Sequence, residues 1–301
     1  MVLAIDIGNT TIAFTGLEMT GSQSVSLRPQ GISDLPVSAE EAPDAVPCPE
    51  DFDIVFSEKI PTETGKDTEI FLREAGLLLG RYAIGTAGPD TTVISAVAIS
   101  SVVPACTPAA KALAEKICAA RPVVINWKCN TGLSFEMIPA PDRVGADRVA
   151  DSAWAAARYP LPVMTVDMGT ATTINIVSAD RKFLGGMIGA GVRTALHSLR
   201  TGTAQLPELL PGPVPPEKLI GTDTSGCMLS AAVVGTAAMI DGLAGHVEEQ
   251  IGSPLTLILT GGNAPAVSEW IRHSYVAEPG LAAKGSALIA LRETGVRCTH
   301  R

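Results

Sequence analysis

The chain has 301 residues, of which 46% are hydrophobic and 18% are charged. This balance is typical of a globular protein and excludes a disordered chain. The net charge of −9 argues against a nucleic-acid-binding protein, which would need a basic face. An anionic ligand stays compatible with this charge, because backbone N–H groups, a metal ion and one or two arginines can form a phosphate site locally.

Cysteines and histidines are scattered along the chain. The six cysteines include no Cys-x-x-Cys pair and there are four histidines, so a zinc site has little support. We expect reduced thiols in a soluble, cytoplasmic protein. The first apolar run ends at Asp6 without the pattern of a signal peptide, and the apolar stretch 228–240 is shorter than the roughly 18 residues that span a bilayer. We therefore expect no membrane partner.

The first part of the chain alternates apolar runs of strand length with helical patterns. The patterns predict strands at 2–7 and 10–17, a proline-rich loop at 29–50, a helix at 67–79, a β-rich stretch at 91–103, a helix at 108–119 and a strand at 123–126. Alternation of this kind indicates an α/β domain with a partly parallel sheet.

The second part of the chain repeats this plan. The patterns predict a helix at 145–158, strands at 163–167, 172–177 and 183–188, a loop at 207–216, a long helix at 228–250, a strand at 255–259 and a closing helix at 282–292. The strand–turn–strand unit around Asp167 has the same plan as the unit around Asp6. We therefore expect two duplicated α/β halves, 1–128 and 129–301, that face each other across a cleft.

The first strand ends in the turn Asp6-Ile7-Gly8-Asn9-Thr10. A glycine after a strand lets the backbone approach a phosphate, whose oxygens accept hydrogen bonds from N–H groups and from Asn9 and Thr10. Asp6 would repel a phosphate but can hold Mg²⁺ or its waters, and the metal then bridges to the β- and γ-phosphates. A plain hairpin turn explains a single motif of this kind equally well.

A second turn, Asp167-Met168-Gly169-Thr170, has the same parts and leads into further threonines, although β-propensity also explains those hydroxyl residues. A later strand runs into Thr260-Gly261-Gly262, which suits a nucleoside. Together the three segments resemble the nucleotide elements of the superfamily of actin, sugar kinases and Hsp70-like ATPases. The resemblance implies two ribonuclease-H-like or actin-like halves that clamp ATP in a cleft between them.

Between the two turns lies Gly145-Ala146-Asp147-Arg148. A kinase for a hydroxyl substrate needs a carboxylate that accepts the proton as the oxygen attacks the γ-phosphorus. An adjacent arginine can hold an anionic substrate or the developing charge. The same residues also fit a helix N-terminus, where Asp147 interacts favourably with the helix dipole and Arg148 is solvated. The spacing alone leaves both interpretations open.

Six sequence blocks occur in a fixed order: Asp6-Ile7-Gly8-Asn9-Thr10, Ser100-Ser101-Val102-Val103-Pro104, 144–148, 166–173, Gly185-Gly186-Met187-Ile188 and Thr260-Gly261-Gly262. This series resembles the type III pantothenate kinase family and covers nearly the whole chain. The resemblance implies phosphorylation of pantothenate by ATP, the first step of coenzyme A synthesis. It also implies a homodimer, Mg²⁺ and a monovalent cation, K⁺ or NH₄⁺.

The resemblance further implies roles for single residues. Asp147 would accept the proton of the substrate hydroxyl, Asp167 would hold the monovalent cation, and Thr224 would contact pantothenate from the neighbouring subunit. The other implied pantothenate contacts are Gly145, Ala146, Arg148 and Ile138. The implied ATP contacts are Asp6, Ile7, Gly8, Asn9, Thr10, Thr11, Thr170, Gly261 and Gly262, and Asp6 would also hold a metal ion.

The chain departs from the family pattern on the acceptor side. Ile138 stands where family members usually carry a tyrosine against pantothenate, and Ala190 replaces the proline of a Gly-Gly-x-Ile-x-Pro-Gly pattern. Three alternatives stay open: a non-catalytic homologue that acts through binding, one subunit of a mixed dimer, and a kinase for another small alcohol. Retention of the charged motif residues argues against the first alternative.

Overall fold

The computed structural model describes residues 1–20, 51–86, 88, 90–210, 212 and 216–295. The predicted loop at 29–50 lies outside the described residues. The described part divides into two α/β units. The first unit comprises 1–20, 51–158 and 280–295, and the second comprises 159–279.

Strands and helices alternate along the described part, as the patterns predict. The strands are β1 (Val2–Ile7), β2 (Thr11–Thr20), β3 (Asp51–Pro61), β4 (Ala96–Ser101), β5 (Val123–Val124), β6 (Val163–Met168), β7 (Ala171–Val177), β8 (Phe183–Ala190), β9 (Thr256–Thr260) and β10 (Tyr275–Ala277). The helices are α1 (Thr68–Gly80), α2 (Thr107–Ile117), α3 (Ala146–Arg158), α4 (Val192–Gly202), α5 (Thr224–Ile251), α6 (Ala264–Ser268) and α7 (Leu281–Thr294).

The two sheets share one topology. The first has the order β3-β2-β1-β4-β5, and the second, taken from its other edge, has the order β8-β7-β6-β9-β10. In each sheet the first three strands pair antiparallel with one another, and the last two run parallel to the third, central strand. This is a ribonuclease-H-like arrangement. Its repetition confirms the prediction of two duplicated α/β halves.

In the first unit, helices cover both faces of the sheet. Side chains of α1 and α2 form one core with Leu3, Ile5, Ile7, Val97 and Ile99. The alternate residues of β1 and β4, among them the buried Ala4 and Ala98, belong to the other face, where α7 and α3 pack. Asp6 has the same strand parity as Ala4 and therefore lies on the α3/α7 face.

The division between the units differs from the one expected at residues 128 and 129. Residues 129–158 and the closing helix α7 belong to the first unit. The physical reason is the close packing of α7 on α3, where a β-carbon on Gly285 would lie 1.9 Å from the carbonyl oxygen of Ala150. Periodicity in the sequence does not reveal such a contact between distant segments.

The helix α5 has 28 residues, and an 18-residue window within it has a mean hydropathy of 1.7. By length and composition it could cross a membrane, so the expectation that this apolar stretch is too short is corrected. Several of its apolar side chains are buried in the core of the second unit, where they pack with side chains of β6 and β9: Met228, Val233, Ala237 and Ile240. One face of this helix therefore belongs to the core of the second unit.

Candidate active site

Hydrogen bonds from two directions fix the turn after β1. The Gly8 N–H donates to the Thr11 carbonyl at 3.0 Å, and the Thr62 hydroxyl donates to the Gly8 carbonyl at 2.7 Å. The Thr62 N–H also donates to the Thr10 carbonyl at 3.1 Å. The side chains of Asn9, Thr10 and Thr11 are exposed and thus accessible to a ligand. Thr62, which no motif predicts, therefore supports the turn after β1.

Asp6 lies at the end of β1 and is half-buried, whereas the neighbouring Ile7 side chain is fully buried and can serve the site only through its backbone. Asp6 is the register partner of Ser100 on β4. Burial and, second, the negative charge of Asp147 raise the pKa of the Asp6 carboxyl from 3.8 to about 6, while the adjacent Ser100 hydroxyl lowers it. Two carboxylates therefore lie close together at this strand end.

Asp147 occupies the first turn of α3. Its Oδ1 atom accepts a hydrogen bond from the Arg148 N–H at 2.8 Å. A β-carbon on Gly145 would lie 2.4 Å from the same oxygen, so a side chain at this position would displace the carboxylate. Ala146 is buried and packs into the unit. The interpretation of the block as a helix start is confirmed, and the structure also brings its carboxylate near Asp6.

Arg148 is half-buried, so its interpretation as a solvated side chain is wrong. Burial lowers the pKa of the Arg148 guanidinium, while the negative charges of Asp147 and Asp151 raise it. Asp151 lies three residues further along α3, on the same helical face, and is fully buried. This countercharge for Arg148 is absent from the motif-based prediction, although the spacing of the two residues on a helix could have revealed it.

In the second unit, Asp167 holds the position on β6 that Asp6 holds on β1. Its register partners are Thr173 on β7 and Thr260 on β9. Gly261 follows with φ +94°, and a β-carbon there would lie 2.4 Å from Oδ1 of Asp167. Two hydroxyl residues and a close backbone therefore surround this carboxylate, which is a set of oxygen donors suited to a cation. Gly262 is exposed, with nothing near its missing side chain.

The turn that contains Thr170 is anchored by residues outside it. The Thr170 carbonyl accepts hydrogen bonds from the Gly191 N–H at 3.0 Å and from the Thr194 hydroxyl at 2.6 Å. The Asn263 amide donates to the carbonyls of Met168 at 3.0 Å and of Gly169 at 3.2 Å. The Thr170 side chain is exposed. Asn263, which directly follows Gly261-Gly262, therefore supports the second turn. The motifs do not predict this role.

The remaining predicted acceptor residues belong to different units. Ile138 is half-buried in a turn of the first unit, where its N–H donates to the Phe135 carbonyl at 3.0 Å. Thr224 is the exposed first residue of α5 in the second unit. Asp223 caps this helix by accepting a hydrogen bond from the Gly226 N–H at 2.7 Å. Thr224 is thus held at an ordered helix start.

The donors at Asp6 fit a magnesium ion that is shared with a nucleotide. In the described part of the chain, no group of three or more His, Cys, Asp or Glu side chains could hold a metal by itself. Kinase sites usually bind Mg²⁺ through one or two carboxylates, waters and substrate phosphates, so a complete protein cage is not needed. A divalent cation at this position would offset the burial of the Asp6 carboxylate and its repulsion by Asp147, the two causes that raise the pKa of Asp6.

The chain is similar in sequence to one family of known proteins. Residues 58–246 match the family model of type III pantothenate kinase. The chain is 36% identical over 171 residues to the type III pantothenate kinase of Caulobacter vibrioides, a match over 57% of this chain and 65% of that enzyme. It is 33% identical over 218 residues to the enzyme of Roseiflexus castenholzii, a match over 72% of this chain and 84% of that enzyme.

A solved structure extends the likeness of fold. It is that of a protein from Campylobacter jejuni described as a conserved Baf family transcriptional activator, with a TM-score of 0.52, 14% identity, and coverage of 95% of this chain and 96% of that one. At this identity the likeness concerns the fold alone. The family model and the sequence relatives decide the family: the chain belongs to the type III pantothenate kinases.

Proposed function

We propose that this chain transfers the γ-phosphoryl group of ATP to the hydroxyl group of pantothenate, which gives 4′-phosphopantothenate for coenzyme A synthesis. The observation that carries the proposal is the placement of Asp147 near Asp6 in the first unit. One carboxylate belongs to a nucleotide turn and the other stands on a helix start beside an arginine. This pairing suits phosphoryl transfer better than nucleotide binding alone. Membership of the family supplies the acceptor.

In the proposed reaction, Asp147 accepts the proton of the substrate hydroxyl as its oxygen attacks the γ-phosphorus. The bond between the γ-phosphorus and the bridging oxygen breaks, and ADP leaves. Arg148, whose guanidinium interacts with the negative charges of Asp147 and Asp151, binds the anionic acceptor. Gly145, Ala146 and Ile138 are the further acceptor contacts in the first unit.

The nucleotide contacts are divided between the two turns. Backbone N–H groups after β1 and the hydroxyl residues around Thr10 and Thr170 donate to phosphate oxygens, and Gly261 with Gly262 lies at the nucleoside. Asp6 holds Mg²⁺, which neutralises charge on the phosphates when it is bound. Asp167, with the hydroxyl residues in its register, holds K⁺ or NH₄⁺.

A second copy of the chain is the proposed protein partner. Leu219 and Ile220, just before α5, are 58% and 77% exposed, and they lie in the segment that leads to Thr224. These two adjacent side chains form a small apolar patch that a second copy of the chain would cover. Thr224 would then contact pantothenate across the interface. The four described cysteines are free thiols, which suits the cytoplasm.

A coupled assay of ADP release tests the proposal. Purified protein with ATP, Mg²⁺ and K⁺ should release ADP only when pantothenate is added, and mass spectrometry should find pantothenate with one added phosphate. A folded dimer that fails both measurements contradicts the proposal. The same assay with other small alcohols in place of pantothenate tests for a different acceptor. ADP release with one of them, and not with pantothenate, would identify such a kinase. Activity that arises only on mixing with a homologous chain would instead favour a mixed dimer.

A further inference from the structure

We propose that Lys59, on the edge strand β3, binds the γ-phosphate of ATP and makes the site prefer ATP over ADP. This inference rests on the proposed function, since it names a phosphate contact within the same site. Lys59 belongs to none of the sequence motifs. The structure assigns it to the site through strand register.

The four strands β3, β2, β1 and β4 place one residue each in a common row. Lys59 pairs with Ala13, Ala13 pairs with Asp6, and Asp6 pairs with Ser100. Residues directly opposite each other on neighbouring strands point to the same face of a sheet. Lys59 therefore lies on the face of Asp6, which is also the face of α3 and Asp147. Only the pair Ile7 and Ile12 separates this row from the turn after β1.

The side chain of Lys59 can reach the phosphate position across Ala13. Neighbouring strands are about 4.8 Å apart, so the Cα atoms of Lys59 and Asp6 are separated by about 10 Å. The intervening residue is an alanine, which leaves the space above β2 open. The flexible four-carbon stem of lysine spans much of this distance. A phosphate group bound near Asp6 would thus meet the ammonium group from the opposite side.

Lys59 has no competing ion pair in the part of the chain that the structure describes. Its neighbour Glu58 pairs with Arg81, and Lys66 pairs with Glu63. Lys59 is exposed, and its positive charge lowers the pKa of Asp6, which agrees with a position on the same side of the sheet. Its ammonium group is therefore available to an anion that enters the site.

The duplicated half shows that the fold does not require a cation here. The equivalent row of the second sheet runs from Ile188 through Thr173 and Asp167 to Thr260. Both rows contain an aspartate next to a hydroxyl residue, but the third strand carries Lys59 in one sheet and the 65% exposed Ile188 in the other. Since only one of the two similar sheets carries a positive charge at this position, binding of a ligand explains Lys59 better than a requirement of the fold does.

Nucleotide binding without pantothenate tests this inference. Calorimetric affinities for Mg·ATP and Mg·ADP are measured for the wild type, Lys59→Met, Lys59→Arg and the control Lys66→Met, whose lysine is also exposed on the first unit. Lys59→Met should weaken ATP binding by about 10- to 100-fold and ADP binding by less than about 3-fold. Lys59→Arg should retain most of the preference for ATP, and Lys66→Met should bind as the wild type does.

Unchanged ATP binding in Lys59→Met, or an equal loss for ATP and ADP in a variant with wild-type thermal stability, would overturn the inference. A wild-type chain that binds ATP with this preference but never phosphorylates pantothenate would overturn the proposed function and leave the role of Lys59 standing. A wild-type chain that binds no Mg·ATP would overturn both.

Discussion

A β-carbon on Gly145 would lie 2.4 Å from the Oδ1 atom of Asp147. The contact atom is the end of a side chain and not a backbone atom, so Gly145→Ala can fold by rotating the carboxylate away. We expect a stability change below about 1 kcal/mol and a fall in kcat on the order of 10-fold or more, because the proton acceptor is displaced.

Gly76→Ala is a matched control for this substitution. Gly76 lies within α1 with nothing near its missing side chain, so alanine should stabilise the helix by about 0.5–1 kcal/mol and leave kcat unchanged. Thermal unfolding and steady-state kinetics of both variants check the prediction. Equal activity of Gly145→Ala and the wild type would show that the carboxylate position is unimportant.

Asp6 should make stability depend on pH. Its pKa is about 6 in the folded protein against 3.8 ordinarily, so the folded state binds the proton more tightly. The contribution of the protonated Asp6 carboxyl to the free energy of unfolding is fully present below about pH 4. It is lost as the pH rises through about 6. Above about pH 7 the ionised carboxylate costs on the order of 3 kcal/mol.

Asp6→Asn removes this cost. In metal-free buffer the variant should unfold at a higher denaturant concentration than the wild type at about pH 8, with the difference shrinking towards about pH 4. Its affinity for Mg·ATP should fall at the same time, because the metal loses its carboxylate. Denaturant unfolding with a chelator present measures the first effect, and a difference that does not vary with pH would argue against the raised pKa.

Gly261 and Gly262 offer a comparison within one turn. Gly261 has φ +94°, and its β-carbon would lie 2.4 Å from Asp167 Oδ1 and 2.5 Å from the Met168 nitrogen, whereas nothing lies near Gly262. Gly261→Ala should therefore destabilise the protein by about 2 kcal/mol or more and weaken ATP binding. Gly262→Ala should change stability by less than about 0.5 kcal/mol. Unfolding curves of the two variants decide this, and similar losses would contradict the assigned geometry.

Strand ends could be predicted from the sequence because the signal is local. An apolar run that stops at an aspartate and a glycine identifies both Asp6 and Asp167, and the structure confirms the two strands. The partners Ser100 and Thr260 come from distant strands, and only the register brings them beside the carboxylates. The same holds for Lys59, whose position in the site depends on pairing across two strands.

Other features escaped prediction for different physical reasons. The strand β3 lies at the sheet edge and exposes Ile54 and Val55, so its apolar pattern is weak. The division between the units differs from the expected one because α7 returns to pack on α3 of the first unit. Duplication of the α/β half, in contrast, was predictable because the two strand–turn–strand units have similar sequences.

The central claim, phosphoryl transfer to pantothenate with Asp147 as the proton acceptor, is tested most directly by pantothenate-dependent ADP release in the wild type and in Asp147→Asn. The asparagine keeps the shape of the side chain but cannot accept the proton. The account predicts steady ADP release by the wild type and a fall in kcat by a factor on the order of 10² or more in the variant, with ATP affinity retained. Pantothenate-dependent release at the same rate in both proteins would contradict it.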